Sequence, residues 1–142
     1  MNNEGITRKR QLVFRSLTIW IVLILAEIVH GILRAVALVP FVGEFRSNQI
    51  GVFTGSAIIL VIAYLTIRWI GAKRTNELLV VGIIWLTLTV AFEFSFGRFV
   101  MGLDWEEILA GYNLAAGGLM PLGLLVLLFS PIIAWKLRTR RK

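Results

Sequence analysis

Four apolar runs, at roughly 17–38, 51–70, 78–96 and 114–135, constrain this chain more than any other feature. Each has about the 20 residues that a helix needs to cross the ~30 Å hydrocarbon core of a bilayer, whereas membrane strands are about half as long and alternate in polarity. The 142 residues are 58% hydrophobic, with a mean hydropathy of +0.83. The sequence therefore predicts an all-α integral membrane bundle of four transmembrane helices, with residues 1–142 as one transmembrane domain. No length remains for a soluble catalytic domain, so we do not predict an enzyme.

The basic residues mark one side of the predicted membrane. Of the 15 lysines and arginines, 12 precede the first span, flank the turn between the second and third spans, or follow the fourth span. They are Arg8, Lys9, Arg10, Arg15, Arg68, Lys73, Arg74, Lys136, Arg138, Arg140, Arg141 and Lys142. The positive-inside rule then places both termini and the middle loop in the cytoplasm of a multi-pass membrane protein. Because anionic lipid accounts for this charge, we predict membrane lipids and not nucleic acid as the partner.

Three ionisable residues interrupt the first span in the stretch AEIVHGILR. At 100° per residue, Glu27, His30 and Arg34 share one helix face. An unpaired charge near the bilayer centre costs about 2.5 to 3.5 kcal/mol on insertion scales, so this face must meet protein, water or other charges. Glu93 and Arg98 in the parallel third span are the expected partners. These five residues form the predicted ligand-binding or proton-binding site.

Small residues are expected to let the spans approach closely. Gly51 and Gly55 form a small-xxx-small pair in the second span, and Gly97 ends a stripe in the third span that has a small residue at each end. Pro121 cannot donate a backbone hydrogen bond to Gly117, so we expect it to free that carbonyl at the depth of the polar centre.

The first outer connection, VPFVGEFRSNQ, is predicted to be a loop. Pro40 and Gly43 should end a helix there, and the polar residues of 44–49 should face water or lipid headgroups.

The second outer connection, Arg98–Asn113, is predicted to contain a short interfacial helix before the fourth span. Asp104 can cap this helix with Glu107 three positions later, and Trp105 can anchor it. The segment then either returns the chain to the membrane or covers a ligand site.

Several functions are compatible with the polar centre. It could be a structural network that fixes helix register, or it could couple to protons or capture a ligand. The Glu27-x-x-His30 spacing also occurs in di-iron bundles, with Glu93 as a third potential ligand. Since the chain has one histidine and no cysteine, we predict neither a metal nor a haem.

Two resemblances follow from particular stretches. LAEIVHG resembles the first helix of small multidrug resistance transporters, in which a mid-span glutamate exchanges protons for cationic drugs; this implies that role for Glu27. Arg34 and the strong charge bias depart from that family's pattern. The chain as a whole resembles uncharacterised bacterial four-span membrane proteins through FRSNQIGVFTGS, RWIGA and FEFSFGRFV, which implies a bacterial origin and no activity.

We therefore predict a small binding or accessory subunit, in a larger membrane complex or a homo-oligomer. Its centre is expected to bind a lipid, a quinone or an anionic amphiphile that enters between the first and third spans near His30. The alternative is a small proton-coupled transporter that uses Glu27.

Overall fold

The computed structural model describes residues 3–140, which contain five α-helices and no strand. They are α1 (Asn3–Ala37), α2 (Val39–Ile70), α3 (Thr75–Ser95), α4 (Trp105–Ala110) and α5 (Met120–Arg140). A π-helical turn, Phe96–Val100, extends α3, and a 3₁₀ turn, Leu114–Ala116, precedes α5. Four helices, with α3 counted together with its extension, are long and apolar enough to cross a membrane. The predicted all-α fold, with four helices long and apolar enough to cross a membrane, is therefore confirmed for the described residues.

The helix α1 begins far before the apolar run that predicted it. Its 35 residues correspond to about 52 Å at 1.5 Å per residue, well beyond the ~30 Å of hydrocarbon. The prediction near residue 17 concerned the start of the span, and the helix itself begins earlier because apolarity reports where a helix can enter lipid and not where its backbone hydrogen bonding starts.

The predicted first outer loop is also largely helical. Pro40 lies in the first turn of α2, where its missing N–H costs no intrahelical bond. Gly43 breaks the helix with φ 84° and ψ 165°, a conformation that disfavours side chains, and helical geometry resumes after it. The chain therefore reverses over Leu38–Gly43, and residues 44–49 belong to a helix instead of a loop.

The last spanning helix begins at Met120 and not near residue 114. Gly117 adopts the left-handed conformation, φ 90°, and ends the preceding 3₁₀ turn. Pro121 is the second residue of α5, so no helix runs through Gly117 for this proline to interrupt. The prediction that Pro121 frees the Gly117 carbonyl was wrong, because the turn separates the two residues. The proline inside α5 is Pro131.

The dry core lies where α1, α2, α3 and α5 meet. Trp85 is fully buried, and its indole N–H donates to the Ser16 carbonyl at 2.9 Å, which joins α3 to α1. Gly82 packs directly against the Leu128 backbone, so α3 and α5 approach closely.

One end of the bundle collects the basic residues, and we call it the basic end. Arg8 pairs with Glu77 at 3.0 Å, Arg15 donates to the Trp69 carbonyl at 2.8 Å, and Arg138 donates to the Tyr64 carbonyl at 2.8 Å. These contacts bring the start of α1, the α2–α3 turn and the end of α5 together. Arg141 and Lys142 lie outside the described residues.

Candidate ligand-binding site

The predicted residues Glu27, His30 and Arg34 meet on one face of α1, but this face packs on α2. His30 Nε2 lies 2.7 Å from the Thr54 hydroxyl, and His30 Nδ1 lies 3.4 Å from Glu27 Oε2. Arg34 Nη1 donates to Asn48 Oδ1 at 3.0 Å and to the Ser47 carbonyl at 3.2 Å. The hydrogen-bonding partners come from α2 and not from the third span, because the helical continuation of α2 places its own polar residues opposite α1.

Gly51 and Gly55 make room for these side chains. A Cβ at Gly55 would lie 3.0 Å from Glu27 Oε2, and a Cβ at Gly51 would contact the Arg34 guanidinium. Both glycines are buried. The pair was predicted for helix packing, and its close neighbours are the polar side chains of the other helix.

Glu93 has a different partner. Its Oε2 accepts a 2.6 Å hydrogen bond from the Tyr112 hydroxyl, in the connection before α5. Burial and the adjacent Glu93 carboxyl raise the pKa of Tyr112, so this hydroxyl stays protonated and donates. Glu93 is close enough to Glu27 for the two carboxyl groups to interact electrostatically.

Arg98 lies apart from the polar centre. It donates to the Leu103 carbonyl at 3.3 Å, and its guanidinium is 5.9 Å from the centre of the Trp105 ring. The π-helical turn directs Arg98 to the neighbouring connection, and its part in a ligand- or proton-binding site stays a prediction. Within residues 3–140, neither Arg98 nor Arg34 forms an ion pair with Glu93.

The connection between α3 and α5 folds back on the end of α3. Phe94 stacks on Tyr112 with ring centres 5.4 Å apart and lies 6.1 Å from the Trp105 ring. Gly97 packs against Ile108, since a Cβ there would lie 3.3 Å from Ile108 Cγ1. The predicted short helix is present as α4.

Gln49 joins α2 to this connection. Its Nε2 donates to the Gly117 carbonyl at 3.0 Å, and Phe45 lies against the same glycine. Sequence reasoning missed Gln49, Asn48 and Thr54 as partners. The four-residue spacing of Ser47, Gly51 and Gly55 was the available signal, because it continues one helix face back into the supposed loop.

Three buried polar atoms around the centre lack a hydrogen-bond partner in the described part of the chain. They are Glu27 Oε1, Arg34 Nε and Ser47 Oγ. An unpaired buried polar group costs about 1 to 3 kcal/mol, and more if it is charged. The centre therefore keeps one acceptor, one donor and one hydroxyl whose hydrogen-bonding capacity is not used within the described residues.

A shallow apolar groove borders the centre on the outside of the bundle. It is lined by Val22, Leu25, Ala26, Val29, His30, Leu33 and Ile58. On α1 these positions follow helical spacing and form one strip, and His30 lies between this strip and the face of Glu27 and Arg34. Among the described residues, His30 is the single polar side chain that lines the groove, and its side chain is 16% exposed.

The charges of the centre are mixed. Arg34 interacts electrostatically with both Glu27 and His30. Thr54 can donate its hydroxyl to His30, or accept from it while donating to the Ile50 carbonyl at 3.2 Å. Either protonation state of His30 Nε2 thus has a partner.

No group of three or more His, Cys, Asp or Glu side chains that could hold a metal comes together within residues 3–140. Glu27 and His30 are adjacent, but Glu93 bonds to Tyr112.

Comparison with protein families, characterised proteins and solved structures finds no match to this chain. The geometry of the described residues is therefore what supports a function.

Proposed function

We propose that this protein is a small binding or accessory subunit of the bacterial inner membrane, which holds the polar head of an anionic or carbonyl-bearing amphiphile beside His30. A lipid or a quinone has the required chemistry. The observation that carries the proposal is the apolar groove with His30 as its one polar side chain, next to buried polar atoms that lack partners.

The groove and the centre match the two parts of such a ligand. A tail would lie along Val22, Val29 and Leu33, in contact with apolar side chains only. A head at His30 would lie on the side of the groove that faces Glu27 and Arg34, and the Arg34 Nε there is a buried donor without a partner among the described residues. The groove opens between α1 and α2, so we now propose this route in place of the one between the first and third spans.

The sign of the centre favours an anionic or carbonyl head over a cation. Arg34 offers a planar set of donors that suits carboxylate, phosphate or carbonyl oxygens. A quaternary ammonium would meet this guanidinium on the same face as Glu27, and repulsion from Arg34 would offset the attraction of the carboxylate. In this proposal, Glu27 contacts His30 and balances the positive charge of Arg34.

The proposed orientation places the basic end in the cytoplasm. The cluster of basic residues there supports this orientation by the positive-inside rule. The groove beside His30 would then lie in the outer half of the membrane.

The experiment compares lipids and quinones that co-purify with wild type and with Arg34→Gln, measured by mass spectrometry. Arg46→Gln is the matched control, since Arg46 is an exposed arginine near the same end that lies outside the centre. We expect Arg34→Gln to lose the bound amphiphile several-fold and Arg46→Gln to retain it.

A second variant guards against misfolding of Arg34→Gln. Ala26→Phe fills the groove without changing a charge, and it should also displace the amphiphile. Equal amphiphile content in all four proteins would overturn the proposal, and so would a wild type that carries none.

Proton-coupled transport remains the second candidate, favoured by one observation. Thr54 can serve either protonation state of His30, which in turn contacts Glu27, so a proton can be taken up here without loss of a partner. Tight binding of cationic dyes that requires Glu27 and is indifferent to Arg34 would support transport and contradict the amphiphile site.

A further inference from the structure

A second cavity lies at the basic end, far along α1 from the polar centre. Its volume is about 730 Å³, and it lies between the first turns of α1 and the connection from α2 to α3. Four cationic side chains line it, with Glu77 as the one carboxylate. The four are Arg8, Lys9, Arg15 and Arg74. The lining therefore carries an excess of positive charge.

Two of these cations have fixed positions. Arg8 pairs with Glu77 at 3.0 Å, and Arg15 donates to the Trp69 carbonyl at 2.8 Å while its guanidinium lies 5.2 Å from the centre of the Trp69 ring. Lys9 and Arg74 are exposed and form no ion pair within the described range of the chain. The Lys9 charge is available to a ligand, and the Arg74 charge is shared between a ligand and Glu77, with which Arg74 interacts electrostatically.

The α2–α3 turn that forms one wall is held by its own hydrogen bonds. Gly71 ends α2 in the left-handed conformation, φ 85°, and its N–H donates to the Ile67 carbonyl. Glu77 Oε2 accepts from the Lys73 backbone N–H at 2.9 Å. The wall that carries Arg74 is thereby ordered before any ligand binds, which reduces the entropic cost of binding.

The cavity also has an apolar part. Leu12, Val13, Ile70 and Val80 line it together with the charged residues. A site with cations and apolar side chains at the end of a membrane bundle suits the headgroup and the first acyl carbons of an anionic lipid.

We infer that this cavity binds a phosphate group, presented by an anionic lipid headgroup or by a soluble phosphate compound. Guanidinium groups donate to phosphate in a fork, and Lys9 adds a compact charge. Glu77 limits the affinity, because it neutralises Arg8. The inference is independent of the site beside His30 and of the amphiphile proposed there.

The test uses the full chain in nanodiscs of zwitterionic lipid, with and without cardiolipin, and measures bound lipid by native mass spectrometry. Sodium pyrophosphate, added to nanodiscs without cardiolipin, is the soluble probe. The double variant Lys9→Gln/Arg74→Gln should weaken binding by roughly tenfold to thirtyfold, at about 1 kcal/mol for each basic residue near an anionic surface.

The matched control is Lys136→Gln/Arg140→Gln, which removes the same charge at the same end from exposed residues outside the cavity. Glu77→Gln should bind phosphate more tightly, because it removes the carboxylate that pairs with Arg8. The glutamine side-chain oxygen can still accept from the Lys73 N–H, so the turn should be kept. A misfolded protein would not show such a gain. We expect this variant to bind several-fold more tightly.

Each outcome decides the inference. Cardiolipin binding that pyrophosphate does not reproduce identifies a lipid headgroup, and pyrophosphate binding identifies a soluble source; both support the site. No binding by wild type, or equal weakening in the two double variants, would overturn it.

Discussion

Replacing Tyr112 with Phe tests whether the connection before α5 is fastened to α3 through Glu93. The substitution removes the hydroxyl that donates to Glu93 Oε2 at 2.6 Å and keeps the ring that stacks on Phe94. This is the one hydrogen bond of the Glu93 side chain in the described part of the chain. Any loss of stability can therefore be attributed to the hydrogen bond between the Tyr112 hydroxyl and the Glu93 carboxyl group.

The expected magnitude follows from the character of this bond. Polar pairs within membrane proteins contribute about 0.6 kcal/mol on average and up to about 1.7 kcal/mol, whereas hydrogen bonds to charged groups contribute about 1.5 to 3 kcal/mol. The bond is short and both side chains are partly buried. We expect the free energy of unfolding to fall by about 1.5 kcal/mol.

The assay is equilibrium unfolding in mixed micelles, followed by tryptophan fluorescence, on a double-mutant cycle of Tyr112→Phe with Glu93→Gln. Glu106→Gln is the control for loss of a carboxylate, since Glu106 is exposed in the same connection. A coupling energy near 1 kcal/mol is expected. Losses that add within about 0.3 to 0.5 kcal/mol would refute the interaction.

Three further predictions concern packing, pH and topology. Gly82→Ala should destabilise the bundle by about 1 to 3 kcal/mol in the same unfolding assay, because the added Cβ would meet the Leu128 backbone. Gly31→Ala is the control, since open space surrounds Gly31. Equal stability of the two variants would contradict the close approach of α3 and α5. Because the folded state raises the pKa of Tyr112, the hydroxyl's contribution to stability should be complete below pH ~10 and decline above it, so Tyr112→Phe should lose less stability on alkaline titration than wild type. A cysteine at Thr75 should resist an impermeant thiol reagent in intact cells, whereas a cysteine at Glu44 should react. Both residues are exposed, and they lie at opposite ends of the bundle. The reverse labelling would contradict the proposed orientation.

The polar centre shows how far a sequence can specify a site. That Glu27, His30 and Arg34 share a face follows from 100° per residue, and the cost of a lone charge in lipid requires that face to meet partners. The identity of the partner helix does not follow, because it depends on how α1 is rotated against its neighbours. The face meets Thr54 and Asn48 of α2, and Glu93 bonds elsewhere.

The boundaries of the elements show a similar division. Apolar runs located all four spanning helices, since bilayer thickness fixes the length that must be apolar. The same runs could not show that α1 starts at Asn3 or that residues 44–49 are helical, because backbone hydrogen bonding continues beyond the apolar stretch. Gly43 was correctly identified as a break, but the extent of helix beyond it depends on packing against α1.

The sequence by itself determined that the chain has four helices long and apolar enough to cross a membrane, most of its basic residues at one end and a polar face on the first helix, since these properties depend on residue type and local spacing. Only the tertiary structure decided that Tyr112 meets Glu93, that Gly51 and Gly55 accommodate Arg34 and Glu27, and that Arg98 lies apart. The reason is that such contacts join residues distant along the chain. They depend on how the helices are rotated against each other and on how the connection between α3 and α5 folds, including its turn at Gly117.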